Sequence, residues 1–130
     1  KIEENGKYRG QVNINKMQLD YSDLLKTNHI GCLTAMIDTK RLGGKLYMPL
    51  IEKRHDHGLW LAILKLGYTA YGLNEILAYY RCRKGSISHN KIKILHHQWK
   101  LYRDVERLGL IRSIYYMIYY TWHGIVKWGV

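Results

Sequence analysis

Apolar residues recur at the helical period in the middle of the chain, and this regularity predicts an amphipathic helix over about 57–66. Lys65 in the last turn and Gly67 just after it are typical of a helix end, because glycine readily adopts the left-handed conformation that closes helices. The residues predicted to face the core stand three and four positions apart: Leu59, Trp60, Ile63 and Leu64.

Two further helices are predicted in the last third of the chain. The first begins where Asn90 can act as an N-cap and ends at Gly109, and the second covers about 110–127. The face of the first helix that we predict to be buried consists of Ile92, Leu95, Trp99 and Tyr102. The apolar stripe of the second helix that we predict to pack on the domain consists of Ile111, Ile114, Ile118, Trp122 and Ile125.

Short segments rich in apolar and β-branched residues predict strands at 30–37, 68–71 and 76–82. A short helix is predicted directly after Asp20, which is placed as its N-cap, with Leu24 and Leu25 buried. Helices that alternate with short strands indicate the α/β fold class.

Charge is the first property of the composition that bears on function. The 130 residues carry 21 Lys and Arg against 10 Asp and Glu, a net charge of +11. Such an excess favours anionic partners: nucleic acid, diphosphates or an anionic membrane surface. The chain contains no compact helix-turn-helix signature and no RNA-binding aromatic motif, so we expect no nucleic-acid partner.

The cysteines and the apolar runs indicate the compartment. Cys32 and Cys82 are too few and too far apart for a disulfide framework, which favours a reducing environment such as the cytosol. The first residues are polar, unlike a signal peptide, and no apolar run reaches the roughly 18 residues of a membrane span.

Asp56 is the first candidate for chemistry, because it stands at the predicted start of the central helix. The helix dipole favours a negative charge there, and a carboxylate so placed can serve as a general base. The alternative is an ordinary N-cap aspartate, and one side chain can fill both roles. His55 and His57 flank it, but residues two apart on a helix do not face each other, so we predict no metal site.

Two basic segments have both a functional and a structural interpretation. Arg81, Arg83 and Lys84 can neutralise a diphosphate or contact an acceptor, or they can form a solvated basic turn. In the last helix, the tyrosines and tryptophans among basic residues favour a membrane or partner surface. The alternative is a helix packed on its own domain with its Tyr hydroxyls in water.

Three segments of the chain stand in a specific order: Asn28-His29-Ile30-Gly31-Cys32-Leu33-Thr34, then Arg54-His55-Asp56-His57-Gly58-Leu59-Trp60-Leu61, then Leu77-Ala78-Tyr79-Tyr80-Arg81 followed by Ser86-Ile87-Ser88. In this order they resemble the C-terminal, acceptor-side half of bacterial family 2 glycosyltransferases that build surface polysaccharides. The resemblance covers about residues 21–127. Many members of the family have Glu where this chain has His55.

The resemblance implies a GT-A fold and transfer of a sugar from a nucleotide-sugar to a hydroxyl with inversion. The catalytic base of the family corresponds to Asp56. The positions implied for substrate binding are Thr34, His55, Arg81, Ser86 and Ser88. A divalent cation, Mg²⁺ or Mn²⁺, is expected for the full-length enzyme, but this chain has no Asp-x-Asp motif, so the cation's ligands are expected mostly outside it.

These observations together predict the C-terminal portion of an α/β GT-A transferase. Residues 1–109 form the acceptor-side half without the donor-binding half, and residues 110–130 form a basic, Tyr/Trp-rich helix. We expect a fragment that is inactive alone, that can self-associate through uncovered apolar surface, and whose parent acts on a saccharide or lipid-linked acceptor at the cytoplasmic membrane face. The alternative is a non-catalytic basic aromatic module that docks on a membrane or a protein partner.

Overall fold

The computed structural model describes residues 1–14, 16–82 and 91–128. Its α-helices are α1 (Tyr21–Lys26), α2 (His55–Lys65), α3 (Lys91–Lys100) and α4 (Leu110–Trp128). A 3-10 turn covers Cys32–Thr34, and a π-helical turn (Leu101–Val105) directly follows α3. Strands β1 (Gln18–Leu19) and β2 (Ala70–Tyr71) pair antiparallel, with Gln18 opposite Tyr71. Helices with a small two-stranded sheet are compatible with a fragment of an α/β protein.

Helix α1 begins as its sequence predicts. Asp20 is the N-cap: its side chain accepts from the backbone N–H of Asp23 at 2.9 Å, and the Asp23 carboxylate accepts from the N–H of Asp20 at 3.0 Å. This reciprocal pair satisfies two N–H groups that have no partner within the helix. Leu24 and Leu25 on the next turn are fully buried, as predicted.

The core lies where α1, α2, the π-helical turn and the inner face of α4 meet. Its main members are Leu24, Leu25, Leu59, Trp60, Leu61, Leu64, Leu101, Tyr102, Leu108 and Tyr116. The hydroxyl of Tyr102 donates to the backbone carbonyl of Leu25, which gives this buried phenol a partner inside an otherwise apolar cluster. The core therefore holds the turn in which α2 begins against three other helical segments.

Helix α2 is confirmed, with bounds shifted towards the N-terminus from the predicted 57–66. It begins at His55 because the Arg54 carbonyl already accepts the N–H of Gly58 at 2.9 Å. Gly67 has a φ of 92°, and its N–H donates to Leu64 at 3.0 Å, as expected for a glycine that closes a helix. The predicted apolar face is buried, except that Ile63 is only partly so.

The predicted strands are largely wrong. Residues 30–37 contain the 3-10 turn instead, and Met36 there is 97% exposed. Of 68–71 only β2 pairs, and 76–82 contributes an isolated bridge between Arg81 and Ile2. A strand forms only where a neighbour satisfies its backbone groups, and the described part of the chain offers these segments little to pair with.

The predicted buried face of α3 is confirmed in part, because Tyr102 is buried and Leu95 and Trp99 are partly buried, but Ile92 is not. Ile92 is 81% exposed, whereas Gln98, Leu101 and Tyr102 are buried. The helical conformation also ends earlier than Gly109, because the π-helical turn stops at Val105 and the chain then turns. The predicted cap Asn90 lies outside the described residues.

Helix α4 covers nearly the predicted residues, but the face that packs on the core is the opposite of the predicted one. Ser113 and Tyr116 face the core, and the small Ser113 side chain donates to the Gly109 carbonyl at 3.0 Å, so α4 can approach its neighbours closely. The predicted buried stripe, beginning at Ile111 with 84% exposure, faces outwards. Within the described residues, no helix has both the length and the apolar content needed to cross a bilayer.

Candidate active site

The entrance to α2 has an unusual backbone. Arg54 adopts the left-handed region with a φ of 68° and caps the helix without a side-chain hydrogen bond. This conformation costs a non-glycine residue about 1 kcal/mol. One turn later, Gly58 lets the loop before the helix lie directly on it: a Cβ there would be 2.5 Å from Pro49 Cγ. The approach of the chain to α2 is therefore closely defined.

Asp56 lies in the first turn of α2 and is partly exposed. It is not the N-cap residue, because Arg54 occupies that position. The positive end of the helix dipole still favours its negative charge there. Because Asp56 is not the N-cap residue, its carboxylate is not required for a capping hydrogen bond. It is accessible to solvent and to a ligand that approaches the N-terminal end of α2.

A contact between α2 and α4 borders this carboxylate. The guanidinium of Arg54 donates to the hydroxyl of Tyr120, and its central carbon lies 5.3 Å from the centre of the tyrosine ring. Burial raises the pKa of Tyr120, the positive charge of Arg54 opposes that rise, and the negative charge of Asp56 adds to it. Tyr120 thus stays protonated and lies within electrostatic reach of both residues.

His57 forms the inner support of the same turn. It is fully buried, its Nε2 lies 2.8 Å from the Leu24 carbonyl, and its Nδ1 lies 3.3 Å from the Gln98 side-chain amide. Burial lowers the pKa of His57 to about 4, so the ring is neutral at pH 7. Nε2–H then donates to the Leu24 carbonyl. The atom placed beside Nδ1 is Gln98 Oε1; since both are acceptors and Gln98 Nε2 has no partner, the amide is assigned the reverse orientation, in which its NH2 group donates to Nδ1. His57 therefore fixes the turn that carries Asp56.

No metal centre is formed by the part of the chain that the structure describes, in which no group of three or more His, Cys, Asp and Glu side chains could hold an ion. His55 is exposed at the start of α2, while His57 points into the core. Cys32 and Cys82 are free thiols.

The other predicted substrate-binding residues lie on separate segments. Thr34 is exposed at the end of the 3-10 turn, and Arg81 donates from Nη1 to the Glu4 carbonyl at 2.8 Å, against the N-terminal segment. Ser86 and Ser88 lie outside the described residues. Of the predicted set, the structure brings His55 and Asp56 together and places Thr34 and Arg81 in different parts of the molecule.

A shallow groove runs beside the segment that enters α2. Its lining residues are Ile51, Glu52 and Lys53 on one wall and His97, Lys100 and Asp104 on the other. The groove carries charges of both signs, so it has no clear preference for an anion or a cation.

Sequence reasoning missed Arg54 and Tyr120. The left-handed backbone of Arg54 has no signal in the local sequence. Tyr120 could have been found, because Ser113, Tyr116 and Tyr120 recur at spacings of three and four along one face of α4. The more apolar isoleucine stripe on the other face obscured that pattern.

Comparison with known proteins finds relatives along most of the chain. It is 44% identical over 109 residues, or 84% of its length, to TuaG of Bacillus subtilis, provisionally named a teichuronic acid biosynthesis glycosyltransferase. Over 85% of its length it is 39% identical to WfgD and 34% identical to WfaP of Escherichia coli. Both are named UDP-Glc:alpha-D-GlcNAc-diphosphoundecaprenol beta-1,3-glucosyltransferases. The chain spans 43% of the length of each of these three relatives.

No protein-family model matches the chain, and no solved structure matches it significantly. The similarity is thus to named glycosyltransferases of surface-polysaccharide synthesis, over less than half of their length.

Proposed function

We propose that this chain is the acceptor-side part of an inverting family 2 glycosyltransferase with a GT-A fold. The parent transfers a sugar from a nucleotide-sugar to a hydroxyl of a lipid-linked saccharide in cell-envelope polysaccharide synthesis. The similarity to three named glycosyltransferases along about 85% of the chain supports this proposal. The names of WfgD and WfaP include a UDP-sugar donor and a diphosphoundecaprenol acceptor, which favours the same substrate classes here.

The observation that carries the proposal is the position of Asp56. It is partly exposed in the first turn of α2, and the buried His57 side chain fixes that turn against the core. As the acceptor oxygen bonds to the anomeric carbon, the bond from that carbon to the diphosphate breaks on the opposite face. The acceptor hydroxyl loses its proton in the same step, and Asp56 accepts it. A rigid turn keeps the carboxylate oxygen in the orientation that this transfer requires.

Arg54 and Tyr120 position the base. Arg54 joins the start of α2 to α4 through Tyr120, so the turn that carries Asp56 is held from the core and from α4.

The divalent cation expected for such an enzyme does not fit the described residues, in which no group of three or more His, Cys, Asp and Glu side chains could hold an ion. We derive no step through it and propose that its ligands lie outside this chain. Thr34, His55, Arg81, Ser86 and Ser88 remain proposed substrate-binding positions. The proposed place of action is the cytoplasmic face of the cell membrane, where a lipid-linked acceptor is available.

Replacement of Asp56 by Asn in the full-length protein tests the proposal. Because the amide cannot accept the proton, kcat should fall by at least about 100-fold, while KM and the melting temperature stay near their original values. Asp104→Asn is the matched control, since Asp104 is an exposed acid on the π-helical turn. Sugar transfer is measured with UDP-sugars and a diphospholipid-linked or water-soluble saccharide.

A variant Asp56→Asn that transfers sugar within a few-fold of the original rate would overturn the catalytic role. If instead the original full-length protein transfers no sugar at all, the non-catalytic docking module accounts better for the chain. It predicts no transfer by the full-length protein, and the substitution would affect only the stability of the start of α2.

A further inference from the structure

The outer face of α4 is apolar, regular and uncovered. It consists of Ile111, Ile114, Ile118, Trp122 and Ile125, each at least 46% exposed. The spacings of three and four place all five on one side of the helix, opposite Ser113, Tyr116 and Tyr120. A contiguous exposed apolar surface of this kind marks an interaction site.

The surroundings of this face are cationic and aromatic. Residues 107–130 contain no Asp or Glu, and Arg107 and Arg112 are exposed at the N-terminal end of α4. Tyr119 lies at the border of the face, with Lys26 Nζ 5.7 Å from the centre of its ring. Tyr and Trp favour the headgroup layer of a bilayer, and Lys and Arg favour anionic lipids. Helices that combine these features lie in the membrane interface.

We infer that the outer face of α4 binds the surface of an anionic phospholipid bilayer and lies in its plane. The opposite face of the helix carries Tyr120, which contacts Arg54 two residues before Asp56. Since an α-helix with its side chains is about 10–12 Å thick, the bilayer surface lies about one helix diameter from the Asp56 turn. A lipid-linked acceptor would therefore meet the base without leaving the membrane.

This inference rests on the proposed function for the nature of the acceptor, but the binding itself rests on the face and its charges. A second copy of the chain or the rest of the parent protein could also cover an apolar face. The lack of acids and the basic, aromatic border complement an anionic lipid surface better than they complement a second copy with the same charge.

The test compares two isoleucines of nearly equal exposure on different helices. Ile111 on α4 is 84% exposed and Ile92 on α3 is 81% exposed. In the full-length protein we expect Ile111→Gln with Ile118→Gln to weaken cosedimentation with vesicles of equal parts phosphatidylglycerol and phosphatidylcholine by at least about tenfold. Ile92→Gln should bind as the original protein does, and pure phosphatidylcholine vesicles should bind all of them weakly.

Melting temperature, oligomeric state and transfer to a water-soluble saccharide are measured on the same variants. Unchanged values accompanied by lost vesicle binding support the inference. Unchanged vesicle binding overturns it. A lower melting temperature or a dissociated oligomer also overturns it, because the face would then cover protein. Trp122→Ser, which removes the aromatic member alone, repeats the test if the double variant is insoluble.

The two proposals fail separately. If Asp56→Asn retains activity while the α4 variants lose vesicle binding, the catalytic assignment is wrong and the membrane surface stands. If Asp56→Asn is inactive and the α4 variants bind vesicles normally, the reverse holds.

Discussion

The helical end of the molecule (α1, α2, the π-helical turn and α4) buries many of its apolar residues, whereas the two linking segments (residues 27–54 and 66–82) leave many of theirs exposed. Among α1, α2, the π-helical turn and α4, leucines such as Leu61 have no exposed surface. In residues 27–54 and 66–82, Leu50 and Met36 are almost entirely exposed, and regular structure is limited to one 3-10 turn and a two-residue strand. The helical end thus encloses a packed core, with uncovered apolar surface only on the outer face of α4, while the linking segments have no such core and present apolar surface that nothing in the described structure covers.

Asp56 lies at the boundary between these two regions. The residues that follow it, from His57 onwards, enter the core, whereas the chain before Arg54 is part of a linking segment. The proposed base therefore lies on a turn held by the packed region and directly follows a linking segment with little regular structure. This arrangement fits the proposal that the remainder of an active site is built on residues outside this chain.

The largest effect on stability should come from deleting a core leucine. Leu61→Ala removes a fully buried side chain, and we expect the free energy of unfolding to fall by about 3 kcal/mol. Leu50→Ala, at a fully exposed leucine of the linking segment, should change it by less than about 0.5 kcal/mol. Urea unfolding monitored by circular dichroism measures both. Equal losses would show that the two regions do not differ in packing.

The buried histidine should make the helical end sensitive to acid. Its folded pKa of about 4 lies below the usual value of 6.5. The unfolded state therefore binds a proton between these pH values that the folded state does not. The free energy of unfolding should be about 1 kcal/mol lower at pH 5.5 than at pH 7 because of His57, and this loss grows as the pH approaches 4.

Comparison with two variants isolates that contribution. His57→Gln should lose the part of the pH dependence that His57 causes, although it is less stable at pH 7. His123→Gln, at an exposed histidine of α4, should keep the original dependence. An unchanged pH profile in His57→Gln would show that other groups cause the acid sensitivity.

Asp20 and Asp38 both accept hydrogen bonds from nearby backbone N–H groups, but we expect them to contribute differently to the free energy of unfolding. Asp20 caps α1, and Asp38 accepts from the N–H groups of Lys40 and Arg41, both at 3.1 Å, in an exposed turn. We expect Asp20→Ala to cost about 1 kcal/mol, since α1 packs on the core. Asp38→Ala should cost much less, because that turn supports no packed element. Thermal unfolding of the two variants decides between this expectation and equal effects.

The smallest of the expected effects concerns self-association of the isolated chain. The uncovered apolar surface of the linking segments predicts that the isolated 130-residue chain associates weakly. Leu50→Lys should shift its sedimentation coefficient towards the monomer value, whereas Ile92→Lys on α3 should shift it less. If the original chain and both variants all sediment as monomers, the prediction of self-association is wrong.

The sequence predicts the helices better than the strands for a physical reason. A helix satisfies its own backbone, so the pattern around Leu59 and the cap at Asp20 contain most of the required information. A strand depends on a neighbour, and the segment 30–37 has a strand-like composition without a paired neighbour in the described structure. The periodicity of α4 likewise identifies two faces, but which face is covered depends on the elements that pack there.

In the candidate site too, the local sequence predicts some features and tertiary packing determines the others. Asp56 and its place at the start of a helix follow from the local sequence. The support from Tyr120 comes from a residue 64 positions further along the chain, and the backbone of Arg54 is set by its surroundings. Spacing alone places Tyr120 on one face of α4, but its contact with Arg54 depends on how α4 packs on the rest of the domain.

The strained backbone at Arg54 has a consequence for protein engineering. Glycine at this position would relieve about 1 kcal/mol of conformational strain, but the lost contact between Arg54 and Tyr120 would offset this gain. The same substitution would remove the guanidinium that joins the proposed base to α4. Relief of backbone strain and support of the proposed base are therefore opposed at this single residue.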